Sequence, residues 1–157
     1  MENSNYLNNS CHEAMYDLIG EITFYPLGAV SFPPLQTSRK HLTPAEVSVL
    51  SNTGVMSFIL GARSDAKLSE SDGSNGQAAQ NQVSIKFSIE NPTAADMDRI
   101  EEATASPHHL LCRSMNEGQM WVPCLGEGYK TSLVENDGKV QVEITIASPK
   151  GSLRVLS

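Results

Sequence analysis

The clearest period along this chain is two. From Gln82 to Glu90 the text QVSIKFSIE sets Val83, Ile85, Phe87 and Ile89 on one side and Ser84, Lys86, Ser88 and Glu90 on the other. That alternation predicts a strand with one buried face. The same period returns near the C-terminus, where Val140, Val142, Ile144 and Ile146 alternate with Gln141, Glu143 and Thr145. Tyr129 to Val134 precedes it, and Glu135-Asn136-Asp137-Gly138 stands between the two runs. Because an Asp-Gly pair accepts positive φ, these runs are expected to form a hairpin.

Weaker versions of the pattern fill in the rest. Leu18 to Tyr25 (LIGEITFY) predicts a short strand, and Val55 to Ala62 (VMSFILGA) is an apolar run of strand length that reads as a buried strand. Between them, Pro26 to Pro44 holds four prolines, which remove backbone donors and predict a mostly irregular connection, followed by a brief turn or strand at Ala45 to Leu50. His109 to Arg113 and Gln119 to Cys124 flank Asn116-Glu117-Gly118 and predict a second hairpin, and Leu153 to Leu156 a terminal strand. One segment changes period. After Asn91-Pro92, Thr93 caps a helix over residues 94–102, with Asp96 at the capping-box position and Met97, Ile100 and Ala103 or Thr104 on one face. The sum is seven or eight antiparallel strands with one helix. The predicted fold class is mainly β: an antiparallel β-sandwich or small barrel with one short packed α-helix.

Domain organisation follows from composition along the chain. Residues 1–17 read as a polar N-terminal arm and residues 18–157 as a single β domain. Arg63 to Gln82 (RSDAKLSESDGSNGQAAQNQ) breaks the β pattern, with Leu68 its one large apolar side chain. Such a stretch buries too little to offset its ordering entropy, which predicts a long flexible loop at 63–82. It is either a solvated hairpin loop or an arm that orders against a neighbour. On the second reading Ser64, Asp65, Lys67, Leu68, Glu70, Asp72, Asn75 and Gln80 would form a subunit interface.

Charge then excludes partners. A formal net charge of -7, with 11 basic residues scattered along 157, argues against a nucleic-acid surface, which needs clustered Lys and Arg. The polar N-terminus does not read as a signal peptide, and no run of about 18 apolar residues offers a membrane span. An odd count of three cysteines suggests reduced thiols in a cytosolic setting.

The densest candidate chemistry is Ser106 to Cys124, SPHHLLCRSMNEGQMWVPC, with two histidines, two cysteines and the single tryptophan. As a zinc site it has the wrong spacing. His108 and Cys112 share a face of a strand but stand about 13 Å apart, and Cys124 has no partner at ligand distance in sequence. Packing cysteines and strand-entrance histidines are the plainer expectation. No motif places a base beside a nucleophilic thiol, and Gly126-Glu127-Gly128 lacks the Lys-Ser/Thr and strand-to-helix setting of a phosphate loop. No catalytic residue, metal or cofactor is therefore assigned.

The order of elements carries a further signal: a strand, Asn91-Pro92-Thr93, a short acidic helix, then HLLCRSMNEGQMWVPCLGEGYKTS and a closing alternating hairpin. Over Val83 to Ser148 this resembles small β-rich structural proteins of tailed bacteriophages and prophages, of the tail-tube, neck and ring type. The resemblance implies a non-enzymatic virion subunit, made in the bacterial host cytoplasm, that forms homo-oligomeric rings or tubes beside other virion proteins. The competing expectation is a monomeric β-barrel or sandwich binding a small ligand or a host protein. Open strand edges would suit the first reading, since neighbouring subunits can continue a ladder.

Overall fold

The computed structural model describes residues 19–34, 41–60, 66–72, 81–114, 118–124, 126, 128–148 and 153–156. Twelve strands run in the order β1 (Ile19–Pro26), β2 (Val30–Ser31), β3 (His41–Leu42), β4 (Ser48–Val49), β5 (Met56–Ile59), β6 (Lys67–Asp72), β7 (Asn81–Glu90), β8 (His108–Ser114), β9 (Gln119–Val122), β10 (Tyr129–Asn136), β11 (Lys139–Ser148) and β12 (Leu153–Val155). Among the described residues a single α-helix, α1 (Ala94–Ala105), separates β7 from β8, and two short 3-10 helices, Leu27–Ala29 and Pro44–Glu46, flank the β2 to β3 region. A six-stranded sheet has the order β3-β12-β9-β8-β1-β5, a four-stranded sheet the order β10-β11-β7-β6, and β2 pairs with β4 alone. The mainly β class with one short helix is what the alternating pattern predicts.

The core lies between the two larger sheets. Inward residues of β1 (Ile22, Phe24), β8 (Leu110, Cys112) and β9 (Met120, Val122) meet Val83, Ile85 and Phe87 of β7 and Val140 through Ile146 of β11. Each large side chain fully buried there contributes about 1.5–3 kcal/mol. Phe24 sits at the centre, with Phe58 edge-on at 5.5 Å and Phe87 at 6.5 Å between ring centroids. A register shift between Ile19 and Glu21 lets Ile19 join the inner core although the residues two and four positions on face outward. The six-stranded sheet is covered on its other face too. Tyr25, Leu111, Trp121 and Leu153 pack there against Ala29, Val30 and Leu42 from the proline-rich connection.

Local chemistry accounts for the junctions. Thr93 Oγ1 accepts from the Asp96 N–H at 3.1 Å while Asp96 accepts from the Thr93 N–H at 3.0 Å, the predicted capping box. The helix runs on to Ala105, burying Ile100 and Ala103. Asp137 and Gly138, with φ of 55° and 73°, make the two-residue turn that joins β10 to β11. Their positive φ matches the twist of the flanking strands.

Four expectations need correction. The strand within VMSFILGA, Met56–Ile59, is an edge strand rather than a buried one: Met56 and Phe58 are buried, while Ile59 is 82 % exposed. An apolar run without alternation cannot reveal which face lacks a covering layer. The segment 63–82 is not a loop throughout, because Lys67–Asp72 forms β6, paired antiparallel with β7 from Lys67↔Lys86 to Asp72↔Asn81. Leu68 enters the core at 4 % exposure, beside the fully buried Ala66 just before the strand. Twelve strands replace the expected seven or eight, the additional ones mostly two-residue pairs in the proline-rich region. The pairing is not wholly antiparallel, as β12 runs parallel to β3. The proposed N-terminal arm, residues 1–17, lies outside the described residues.

Candidate functional site

Strand β8 places its adjacent histidines on opposite faces, as alternation requires. His108 points into the core side, where its Nδ1 lies 2.7 Å from the Ser106 carbonyl and its ring stands 6.0 Å from Phe24 and 6.3 Å from Tyr129. His109 points to the outer face against Phe32, with ring centroids 4.9 Å apart. The Cys124 backbone N–H donates to His109 Nδ1 at 2.9 Å, which leaves Nε2 to carry the proton and donate to the Leu27 carbonyl at 3.2 Å. His109 thus joins β8, Cys124 two residues past β9 and the 3-10 turn after β1. Burial holds its pKa below the usual 6.5; the Leu27 bond opposes this and His108 adds to it.

The thiols are placed for packing. Cys112 is fully buried on the inner face of β8, and burial pushes it up to about 12. Cys124 is buried as well, with its thiol raised by burial and partly offset by the Gly126 N–H, which donates to Sγ at 3.4 Å. Thiols that resist deprotonation are poor nucleophiles and poor metal ligands. Tyr129 closes the cluster: its hydroxyl donates to the Ala103 carbonyl at 2.8 Å, and burial, then Cys124, raises its phenol. Among the described residues no group of three or more His, Cys, Asp and Glu side chains converges as a metal site would require.

Two surface features stand apart from this packed centre. The first is a groove of about 450 Å³ on the outer face of the six-stranded sheet, floored by Tyr25, Leu111 and Trp121, walled by Val47 and Val155, and bounded by Arg113. Arg113 is held there by Glu21 at 3.2 Å. The second is the free edge of β10. Among the described residues this strand pairs with β11 alone, over eight unbroken positions, and every residue from Thr131 to Lys139 is exposed. Leu133 and Val134 stand 38 % and 52 % exposed within it.

The edges differ in how they are finished. In β5 the outward Ser57 carbonyl accepts from the Arg99 guanidinium of α1, which also lies over the Phe58 ring at 4.6 Å. Helix α1 spans from that edge to β10, where Thr131 Oγ1 donates to the Thr104 carbonyl at 3.3 Å. Among the described residues none covers the backbone of β10 beyond this point in the same way. Its geometry is set by the Ala147 N–H, which donates to the Gly128 carbonyl at 3.2 Å. Gly128 and Ala147 are therefore a hydrogen-bonded pair, so Lys130, Ser132, Val134 and Asn136 bond to β11 while Thr131, Leu133 and Glu135 present their N–H and C=O groups outward.

Of the residues expected to form an assembly arm, Lys67, Leu68, Glu70 and Asp72 lie together in β6 at the opposite edge of the same sheet. Leu68 is consumed by the core and is not available to a neighbour. Ser64, Asp65, Asn75 and Gln80 lie outside the described residues. The open β10 edge was not legible in sequence as an interface; the one available signal was Leu133 beside Val134, an adjacent apolar pair that places one apolar residue on each face. The groove had no local signal, because its floor comes from three strands.

Compared with protein-family models, with curated proteins and with solved structures, the chain matches none.

Proposed function

We propose that this chain is a non-enzymatic structural subunit that assembles with copies of itself through its sheet edges. The observation that carries the reading is β10: eight residues long, paired on one side, exposed from Thr131 onward and bearing two apolar side chains. Proteins that stay monomeric blunt such edges with short strands, prolines, bulges or inward charges. Strand β10 is eight residues long, has no proline and pairs with β11 without a bulge; its only charges are Lys130 at its start and one inner-face carboxylate, Glu135, near its end. The order of elements from Val83 to Ser148, with its likeness to tail and neck proteins of tailed phages, extends the reading to a virion subunit of a ring or tube. An acidic chain is also suited to the wall of a DNA conduit, which must not bind what passes through it.

Size in solution tests this. Sedimentation over a hundredfold range of concentration, with electron microscopy of the same samples, is expected to show oligomers, and rings or tubes at high concentration. A concentration-independent species of 17.0 kDa would overturn it.

The groove over Tyr25 and Trp121 supports a second reading, a ligand-binding sandwich, because its volume falls in the range of small-molecule sites. A strictly monomeric protein that binds an aromatic or aliphatic probe with quenching of Trp121 would favour this reading over assembly.

A further inference from the structure

We infer that β10 pairs antiparallel with β10 of a second copy about a two-fold axis at Leu133, joining two four-stranded sheets into one of eight strands. This rests on the assembly reading and names its contact.

Outward hydrogen-bonding groups belong to Thr131, Leu133 and Glu135, so an incoming strand must form its hydrogen-bonded pairs with these positions. A copy of the same strand, run antiparallel, satisfies them when Leu133 faces Leu133. Thr131 then faces Glu135 of the second copy on the inner face, a neutral side chain against a single carboxylate. On the outer face Ser132 faces Val134 and Lys130 faces Asn136. No like charges are opposed, which would weaken a cross-strand pair. Sliding the register two residues, so that Leu133 meets Glu135, sets an apolar side chain against a carboxylate and loses the pairing of Leu133 with itself.

Charge favours a second copy as the occupant. The chain carries a net -7, yet Lys130 and Glu135 leave β10 neutral, so the strand itself adds no net repulsion between two copies. Length favours it as well, since seven residues of each strand overlap in this register and form about six new backbone hydrogen bonds. The other edges of the two larger sheets are shorter among the described residues. Strand β3 has two residues, β5 has four, with its Ser57 carbonyl already taken by Arg99, and β6 has six.

Disulfide trapping tests the register. Cys112 and Cys124 are buried, so in a Cys11→Ser background the probe is a single new cysteine. Residues facing each other as a hydrogen-bonded pair have Cα atoms about 5.5 Å apart, inside the range of about 4.4–6.8 Å that a disulfide spans. Leu133→Cys is expected to give a covalent dimer under mild oxidation. Val134→Cys, diagonal to its own copy, is not. In a separate variant, Leu133→Pro removes an outward N–H while leaving the β11 ladder intact, and should weaken dimerisation about tenfold or more with the circular dichroism spectrum preserved. Oligomers in which Leu133→Cys fails to cross-link, or in which Val134→Cys cross-links equally well, would overturn this contact and leave assembly standing. A protein monomeric at every concentration would remove both.

Discussion

Replacing His109 with leucine tests the packed centre of the β8–β9 hairpin. The imidazole accepts from the buried Cys124 N–H and donates to the Leu27 carbonyl, at 2.9 and 3.2 Å. Leucine can do neither. A buried donor left unsatisfied costs about 1–3 kcal/mol, and loss of the second bond up to about 1 more, with part returned by the apolar side chain. The expected net loss at pH 8 is about 2–3 kcal/mol, a large share of the roughly 5–15 kcal/mol that holds a domain folded. Urea unfolding followed by the fluorescence of Trp121, the only tryptophan, measures it directly. The pH dependence gives a second, sharper check. Because burial holds His109 below its ordinary 6.5, the unfolded chain takes up the proton first as the pH falls. Its contribution is whole above pH 6.5 and is lost as the pH falls from there through the folded value. The carboxylates are common to both proteins, so the difference between them reports on the removal of this imidazole. The gap between wild type and His109→Leu should therefore narrow from pH 8 towards pH 5. A variant as stable as wild type at pH 8 would show that the two hydrogen bonds contribute nothing, and a gap constant with pH would show that the imidazole is not held neutral.

Three further expectations follow from single positions. Leu68→Ala should cost about 2–5 kcal/mol in urea unfolding, while Ser69→Ala on the exposed side of the same strand stays within about 0.5, and equal small effects would return β6 to the status of a loop. With its thiol pushed up to about 12, Cys112 should resist thiol reagents at pH 8 in the folded protein; the stability it lends is whole below pH 9.0 and falls as the pH rises towards 12, an alkaline loss that Cys112→Ala should lack. Gly128 has φ of +74°, and a Cβ there would stand 2.6 Å from the Ala147 Cβ, so Gly128→Ala should destabilise by about 1–3 kcal/mol, and a neutral result would mean that the entry to β10 is placed differently.

Where the pattern was local, it was sufficient. Strands β7 and β11 alternate strictly, so one face had to be buried, and the Asp137-Gly138 pair could only close a tight turn. Thr93 and Asp96 announce the start of α1 because both halves of the capping box lie within four residues. The cysteines were legible as packing residues for a similar reason: His108 and Cys112 share a strand face about 13 Å apart, too far to hold one ion, and both Cys112 and Cys124 are buried. The tertiary structure alone decided everything that depends on which strands become neighbours. VMSFILGA became an edge because no strand follows β5 in its sheet, and its end is finished by Arg99, 42 residues distant in sequence. Lys67–Asp72 became a strand because the face of β7 opposite β11 was free to template it, and Leu68 found a hole in the core that composition could not foresee. The openness of β10 is of the same kind. Hydrogen-bonding groups are identical in every residue, so whether an edge is satisfied or exposed is written in the arrangement of the whole sheet and in no single stretch of sequence.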